Sequence, residues 1–216
     1  MTGELLDENG WLHTGDVGVW QVINVPSLYL SAKTNHYVLL FIMKYYYKIQ
    51  DGCLKIVDRC KHMFKLAQGE YVAPLKLEEI YQRSALVNQI FVDGDAHSLY
   101  PVALVFPEVD YLREVLNSKQ SRKSGIGSSS KVSYNQSIED LCMDPNAKEL
   151  VLADLILQAD ASNLVGFEKI KHIRLIPEPF TIDNAMLTPT QKTVRNAVRK
   201  RYSEELSSLF EEVAAF

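Results

Sequence analysis

The stretch I-V-D-R-C-K-H-M-F-K-L-A-Q-G-E-Y-V-A-P, Ile56 to Pro74, decides how the chain divides. Its first residues complete an alternating run, Cys53 to Asp58, that follows the turn pair Asp51-Gly52 and predicts a strand leaving a hairpin. From Lys61 to Glu70 the sequence is basic and polar, with Gln68-Gly69-Glu70 as a turn. Pro74 then suits the start of a helix over Leu75 to Ser84, with apolar residues at Leu77, Ile80 and Tyr81. A strand, a polar connector and a new helix mark a domain boundary, here after Arg59.

Downstream, Val87 to Asp93 and Pro101 to Phe106 read as two strands around the turn Asp93-Gly94-Asp95, and Ile170 to Ile176 as another. Asp110 to Leu116 reads as a helix, and so does Leu141 to Asp160, where Leu150, Val151, Leu155 and Ile156 fall at helical spacing. Ser118 to Ser133 is a Ser/Lys/Gly loop expected to be a mobile surface insertion, and Thr190 to Val213 a basic-then-acidic amphipathic helix. The fold class is α+β. Upstream, Gly10 to Asp16 reads as a turn leading into a short strand, with the Asp16 carboxylate between Gly15 and Gly18 and able to face a ligand.

Composition narrows the function. With 216 residues, 47% of them hydrophobic, the chain can hold one or two domains with real cores. A net charge of −4 argues against nucleic-acid or membrane-surface binding, since either needs a basic face. The late basic run Lys192, Arg195, Arg199, Lys200 and Arg201 is followed at once by glutamates, which predicts a solvated helix face. The 3 cysteines, Cys53, Cys60 and Cys142, have no zinc or disulfide spacing, so a reducing, cytosol-facing compartment is expected, with peripheral association at an organelle membrane left open. His13, His36, His62, His97 and His172 show no metal spacing and are expected to be structural or surface residues. The apolar run Tyr37 to Tyr47 is interrupted by Lys44 and falls short of the ~20 residues that span a bilayer, and the N-terminus has no secretory-signal pattern.

Three segments occur in the order G-W-L-H-T-G-D (Gly10 to Asp16), Ile56 to Pro74 as quoted, and L-T-P-T-Q-K (Leu187 to Lys192). Together they resemble the long-chain fatty acyl-CoA synthetase branch of the adenylate-forming enzymes, and K-L-A-Q-G-E-Y-V-A-P is the most specific of them. The resemblance covers nearly the whole chain except Gln21 to Gln50 and the serine-rich loop. It implies that residues 1–59 are the end of the large N-terminal AMP-binding domain and residues 60–216 the C-terminal mobile lid. The activity implied has two steps. A fatty acid carboxylate attacks the α-phosphate of ATP to give an acyl-adenylate and pyrophosphate, and the coenzyme A thiol then displaces AMP. ATP with Mg2+, coenzyme A and a long-chain fatty acid are the implied partners, without nucleic acid. Membrane association would come only through upstream sequence.

By this resemblance Asp16 accepts the ribose hydroxyls, Arg59 contacts the nucleotide through its fork of donors, and Lys61 is the hinge. Lys65, with the Gln68-Gly69-Glu70 turn, serves the second step. Lys192 is the catalytic residue, its ammonium bridging the substrate carboxylate and the α-phosphate on a tether formed by Pro189 and the loop before it. Gln191 departs from the pattern, since related long-chain enzymes more often carry an apolar or aromatic residue there. Gln21 to Gln50 departs further. It reads as an insertion foreign to the fold, closer in composition to translated non-coding sequence than to an evolved loop. The phosphate loop and acyl tunnel implied by the resemblance are not in this sequence, so the expectation is a ligase fragment that does not turn over alone. The alternative is a non-catalytic lid fragment or mis-spliced product with binding or regulatory capacity. A ligase for aryl acids is disfavoured by the Ala67-Gln68-Gly69-Glu70 turn.

Overall fold

A computed structural model describes residues 15–22, 52–123 and 137–214. The readings of Tyr37 to Tyr47, of residues 23–50 within the expected insertion, and of residues 124–133 of the serine-rich loop lie outside these residues. The chain divides into two compact units, Met1–Met63 and Phe64–Phe216. In the first, β1 (Asp16–Val22) pairs antiparallel with β2 (Gly52–Arg59), Asp16 facing Arg59 and Val22 facing Gly52. Gln21 and Val22 are therefore strand residues rather than the start of an insertion. A register shift between Val17 and Gly18 kinks the ribbon next to Asp16.

The second unit is built on a three-stranded sheet in the order β5 (Val87–Asp93), β6 (Val102–Pro107), β7 (His172–Leu175). It is preceded by the two-residue strands β3 (Phe64–Lys65) and β4 (Tyr71–Val72). The β5–β6 pair is antiparallel and the β6–β7 pair parallel. Because side chains alternate across a strand, Ile90, Val92, Ala103 and Val105 go to one face and Phe91, Val102 and Leu104 to the other. The first face packs against α1 (Pro74–Tyr81), α2 (Val109–Lys123), α3 (Ile138–Met143) and α4 (Pro145–Ala161). The second packs against α5 (Arg195–Arg201) and α6 (Ser203–Ala214), where an edge-on chain of rings runs Phe91, Phe180, Tyr202. A sheet covered on both faces needs apolar residues at every position, hence V-A-L-V in β6.

Four expectations change. The helix expected to stop at Leu116 runs to Lys123, so Ser118 to Lys123 is helix rather than loop. The single helix expected over Leu141 to Asp160 is two, broken at Asp144-Pro145, where the Asp144 carboxylate accepts from Asn146 N–H at 2.8 Å and Pro145 takes the first position of α4. The amphipathic helix expected over Thr190 to Val213 begins only at Arg195 and breaks at Tyr202. Arg195 and Arg199 do not lie on a solvated face, because Arg195 is 6% exposed and Arg199 grips Asp93.

Two outcomes follow from this core. Leu104 is fully buried in the central strand, so Leu104→Ala should cost about 3 kcal/mol in urea unfolding, while the exposed Met143→Ala should cost under about 0.5. Burial, with Glu139 adding a little, pushes the Cys142 thiol up to about 11. Burial also pushes the Tyr81 phenol up to about 12, against the lowering effect of the Ile170 N–H that its oxygen accepts at 3.1 Å. Both groups keep their proton longer folded than unfolded, so their contribution is whole at neutral pH and is lost as pH rises through these values. The urea midpoint should hold to about pH 8 and then fall, and Tyr81→Phe should flatten the fall above about pH 10.

Candidate functional site

Asp16 and Arg59 are brought together by the β1–β2 register, which ends on this pair. Gly15 takes φ 71°, a left-handed turn into the strand, and its carbonyl accepts from Cys60 N–H at 2.7 Å, closing the ribbon beyond the pair. Arg59 Nε lies 3.7 Å from Asp16 Oδ1, too long for a hydrogen bond, with the side chains 57% and 32% exposed. An ion pair so exposed is worth at most about 1 kcal/mol. Its neighbour Asp58 is buried, accepts from Arg59 N–H at 2.6 Å, and stands 3.3 Å from His62 Nδ1. Lys61 lies between them on an exposed 3-10 turn, Cys60–His62.

In the second unit, Lys65 and Lys192 sit on two hairpins of the same construction. Gly69 N–H donates to Leu66 O at 2.9 Å and Leu66 N–H to Glu70 O at 2.8 Å, with Gly69 at φ 91°. Gln191 N–H likewise donates to Thr188 O at 2.8 Å and Thr188 N–H to Lys192 O at 2.8 Å, with Gln191 at φ 59°. Each is a tight turn closed by one left-handed residue. Lys65 precedes its turn and leans over the Tyr71 ring, 5.8 Å from the centroid. Lys192 follows its turn and is exposed, and its ammonium makes no hydrogen bond or ion pair among the described residues. Pro189 sets the φ of the second hairpin's first turn residue. Gln191 occupies the left-handed position of the turn, where glycine or asparagine is least strained.

Below the Lys192 hairpin is a polar cluster that reading the sequence missed. Leu187 bridges Thr193, and Val194 N–H donates to the carbonyl of buried Met186 at 2.9 Å. One residue on, Arg195 enters the core. Its Nη1 donates to Glu78 Oε1 at 2.7 Å, its Nη2 donates to Val92 O, and its guanidinium lies 4.3 Å from the Phe91 ring centroid. Glu78 Oε1 also accepts from Val92 N–H at 2.9 Å, so the two charges hold both polar groups of one residue in β5. A turn later, Arg199 makes a two-pronged contact with Asp93 at 2.7 and 2.6 Å. The signal was present. Glu78 lies on the apolar arc of α1 with Leu77 and Tyr81, and Arg195 and Arg199 flank buried Val198.

Among the described residues, no three His, Cys, Asp or Glu side chains are grouped to hold a metal, and no helix is long and apolar enough to cross a membrane. No protein-family model matches the chain. The chain is 37% identical to human long-chain-fatty-acid–CoA ligase 1 over 209 residues, 97% of this chain and 24% of that protein. It is 34% identical to the peroxisomal long chain acyl-CoA synthetase 7 of Arabidopsis thaliana over 214 residues, 99% of this chain and 25% of that one. The chain thus spans about a quarter of the length of the curated relatives it matches. Among solved structures, the adenylation domain of a carboxylate reductase from Mycobacterium chelonae matches 96% of this chain with TM-score 0.65 and 26% identity, over 24% of its own length. That of Segniliparus rugosus carboxylic acid reductase, in complex with AMP and a co-purified carboxylic acid, matches 98% with TM-score 0.65 and 28% identity, over 25% of its length. The mixed helix-and-sheet fold is that of the adenylate-forming enzymes, and over nearly its whole length the chain is similar to a segment that makes up about a quarter of the long-chain-fatty-acid–CoA ligases it matches.

Proposed function

We propose that the chain is the C-terminal part of a long-chain fatty acid–CoA ligase, which activates a fatty acid with ATP through an acyl-adenylate and transfers the acyl group to coenzyme A. On this reading the β1–β2 ribbon ends the nucleotide-binding domain, and the unit from Phe64 on is the lid. Asp16 accepts the ribose hydroxyls and Arg59 reaches ribose or phosphate oxygens. Lys192 offsets the charge that develops between carboxylate and α-phosphate in the first step. Lys65 and the Gln68-Gly69-Glu70 turn serve the second, after the lid has swung about Lys61. Magnesium enters with ATP as the substrate complex. Turnover belongs to a longer protein that contains this segment.

The observation that carries the reading is the presentation of Lys192. L-T-P-T-Q-K forms a tight hairpin whose base is anchored in the core, while the ammonium itself stays exposed. A lysine serving only solubility has no need of such a mount. Asp16 and Arg59 support it, since the strand register sets a carboxylate beside a five-donor cation at one ribbon end.

In a full-length enzyme carrying this segment, Lys192→Ala should lower pyrophosphate release with ATP and palmitate by roughly 100-fold or more, while thioester formation from supplied acyl-adenylate survives. Equal loss in both half-reactions would overturn the assignment. Lys61→Pro should slow thioester formation more than adenylation, because proline at 61 drives Cys60 out of its helical turn conformation and stiffens the connector. Unchanged thioester formation would place the hinge elsewhere.

A further inference from the structure

We propose that Arg195 is a positioning residue for Lys192, and that the buried Glu78–Arg195 pair fixes the hairpin on which the lysine stands. The proposal rests on the reading of Lys192 as the adenylating lysine and adds how its backbone is held.

Burying this pair carries a cost. Arg195 is 6% exposed and Glu78 similarly buried, and Arg195 Nε has no hydrogen-bond partner among the described residues. Taking two charges out of water is expensive, and their attraction returns most of it only when every donor is used. A well-packed apolar pair of similar volume often holds such a site as firmly. Stability alone therefore does not account for this pair. What an apolar pair cannot supply is direction. The guanidinium is tied to the Glu78 carboxylate and to the Val92 carbonyl, and Glu78 is tied to the Val92 N–H, so Arg195 is fixed against a specific residue of the central sheet.

That fixed point lies three residues from Lys192, and the backbone between them is tied to the facing limb on either side of Thr193. Val194 N–H donates to Met186 O, Lys192 both donates from its N–H to Thr188 Oγ1 at 3.0 Å and accepts from Thr188 N–H at 2.8 Å, and Thr193 faces Leu187 in the bridge those bonds define. The other limb ends on Met186, buried in the α5–α6 core. The hairpin therefore has two roots, one apolar and one ionic. Arg199 on Asp93 docks the next turn of α5 and leaves the hairpin itself untouched. Fixing a reactive group's base to within a fraction of an ångström is what second-line hydrogen bonds accomplish in active sites.

The test uses this chain and the charge-free double variant Glu78→Leu/Arg195→Met, which avoids leaving one charge buried alone, together with Arg195→Lys, which keeps the charge but loses the fork. Amide hydrogen exchange is followed at Thr188 and Gln191, whose N–H groups close the hairpin, and at Leu104 and Val105 in the sheet. The expected result in both variants is exchange at least 10-fold faster at Thr188 and Gln191, with the sheet amides unchanged. Arg199→Lys should change neither. Hairpin protection equal to the parent chain in either folded variant, or a rise shared equally by the sheet, would overturn the proposal. If the double variant does not fold, Arg195→Lys alone decides by the same criterion. In a full-length enzyme carrying the segment, Arg195→Lys should lower kcat for adenylation at least 10-fold with KM for ATP unchanged, and add little to Lys192→Ala. If Lys192→Ala leaves adenylation intact while the hairpin loosens as described, the lysine's role is what fails and the positioning stands.

Discussion

Burial of the β5–β6 pair on both faces is the constraint from which the second unit follows. Val102, Ala103, Leu104 and Val105 are all without exposure, so two helical layers are required, and the chain supplies one from α1 and the helices between β6 and β7 and the other from its last helices. Over Ile90–Asp93 of β5 and Val102–Val105 of β6 the side chains are buried, so a charge brought to that stretch must arrive with its partner. Glu78 and Arg195 come from opposite layers and meet at Val92, and Asp93 and Arg199 meet beside them. The α5 helix is thereby located along the strand by hydrogen bonds as well as by packing. Apolar contact alone leaves neighbouring registers closer in energy.

The two hairpins show how one local geometry is reached by different sequences. In A-Q-G-E the left-handed residue is Gly69, which takes φ 91° without a steric penalty. In P-T-Q-K it is Gln191, for which φ 59° costs on the order of 1 kcal/mol. That cost is met at the roots, where Met186 is buried and Arg195 is ion-paired, both within a few residues of the turn. Strain kept beside an exposed lysine fits a turn whose shape serves the position of that lysine more than the stability of the unit.

Much of this was legible in advance. The strands at Val87–Asp93 and near Pro101–Phe106 were readable because continuous apolar runs bounded by turn residues have few other uses, and the helix after Pro74 because proline marks a helix start. Asp16, Arg59, Lys65 and Lys192 were named only through the resemblance their motifs carry; the structure sets Asp16 opposite Arg59 at one ribbon end and mounts Lys65 and Lys192 beside tight turns, and their roles stay with the proposed function. The buried charges left a local trace, since Glu78 shares an apolar arc with Leu77 and Tyr81 and Arg195 and Arg199 flank Val198, but their pairing did not, because Glu78 meets Arg195 across more than a hundred residues of chain. The breaks at Asp144-Pro145 and Tyr202 were missed for a different reason. Apolar periodicity continues across both, and the α4 break is visible only if the aspartate-proline pair is weighted as a cap above the period.

The same energetic comparison bears on the ribbon end. Asp16 and Arg59 are held near each other by strand register, and their own attraction adds little in so exposed a place. Glu78 and Arg195 are the reverse case, since their contact is close, buried and costly to break. A pair built for structure gains from burial and short distance, and a pair meant to take a ligand gains from neither, because each partner must turn to new oxygens or hydroxyls without losing much. The 3.7 Å separation makes the Asp16–Arg59 contact itself a weak one to give up. Under the proposed reading, ribose hydroxyls on Asp16 and nucleotide oxygens on Arg59 would replace a weak contact with stronger charge-assisted hydrogen bonds, and the strand register would keep both groups in place while they do so.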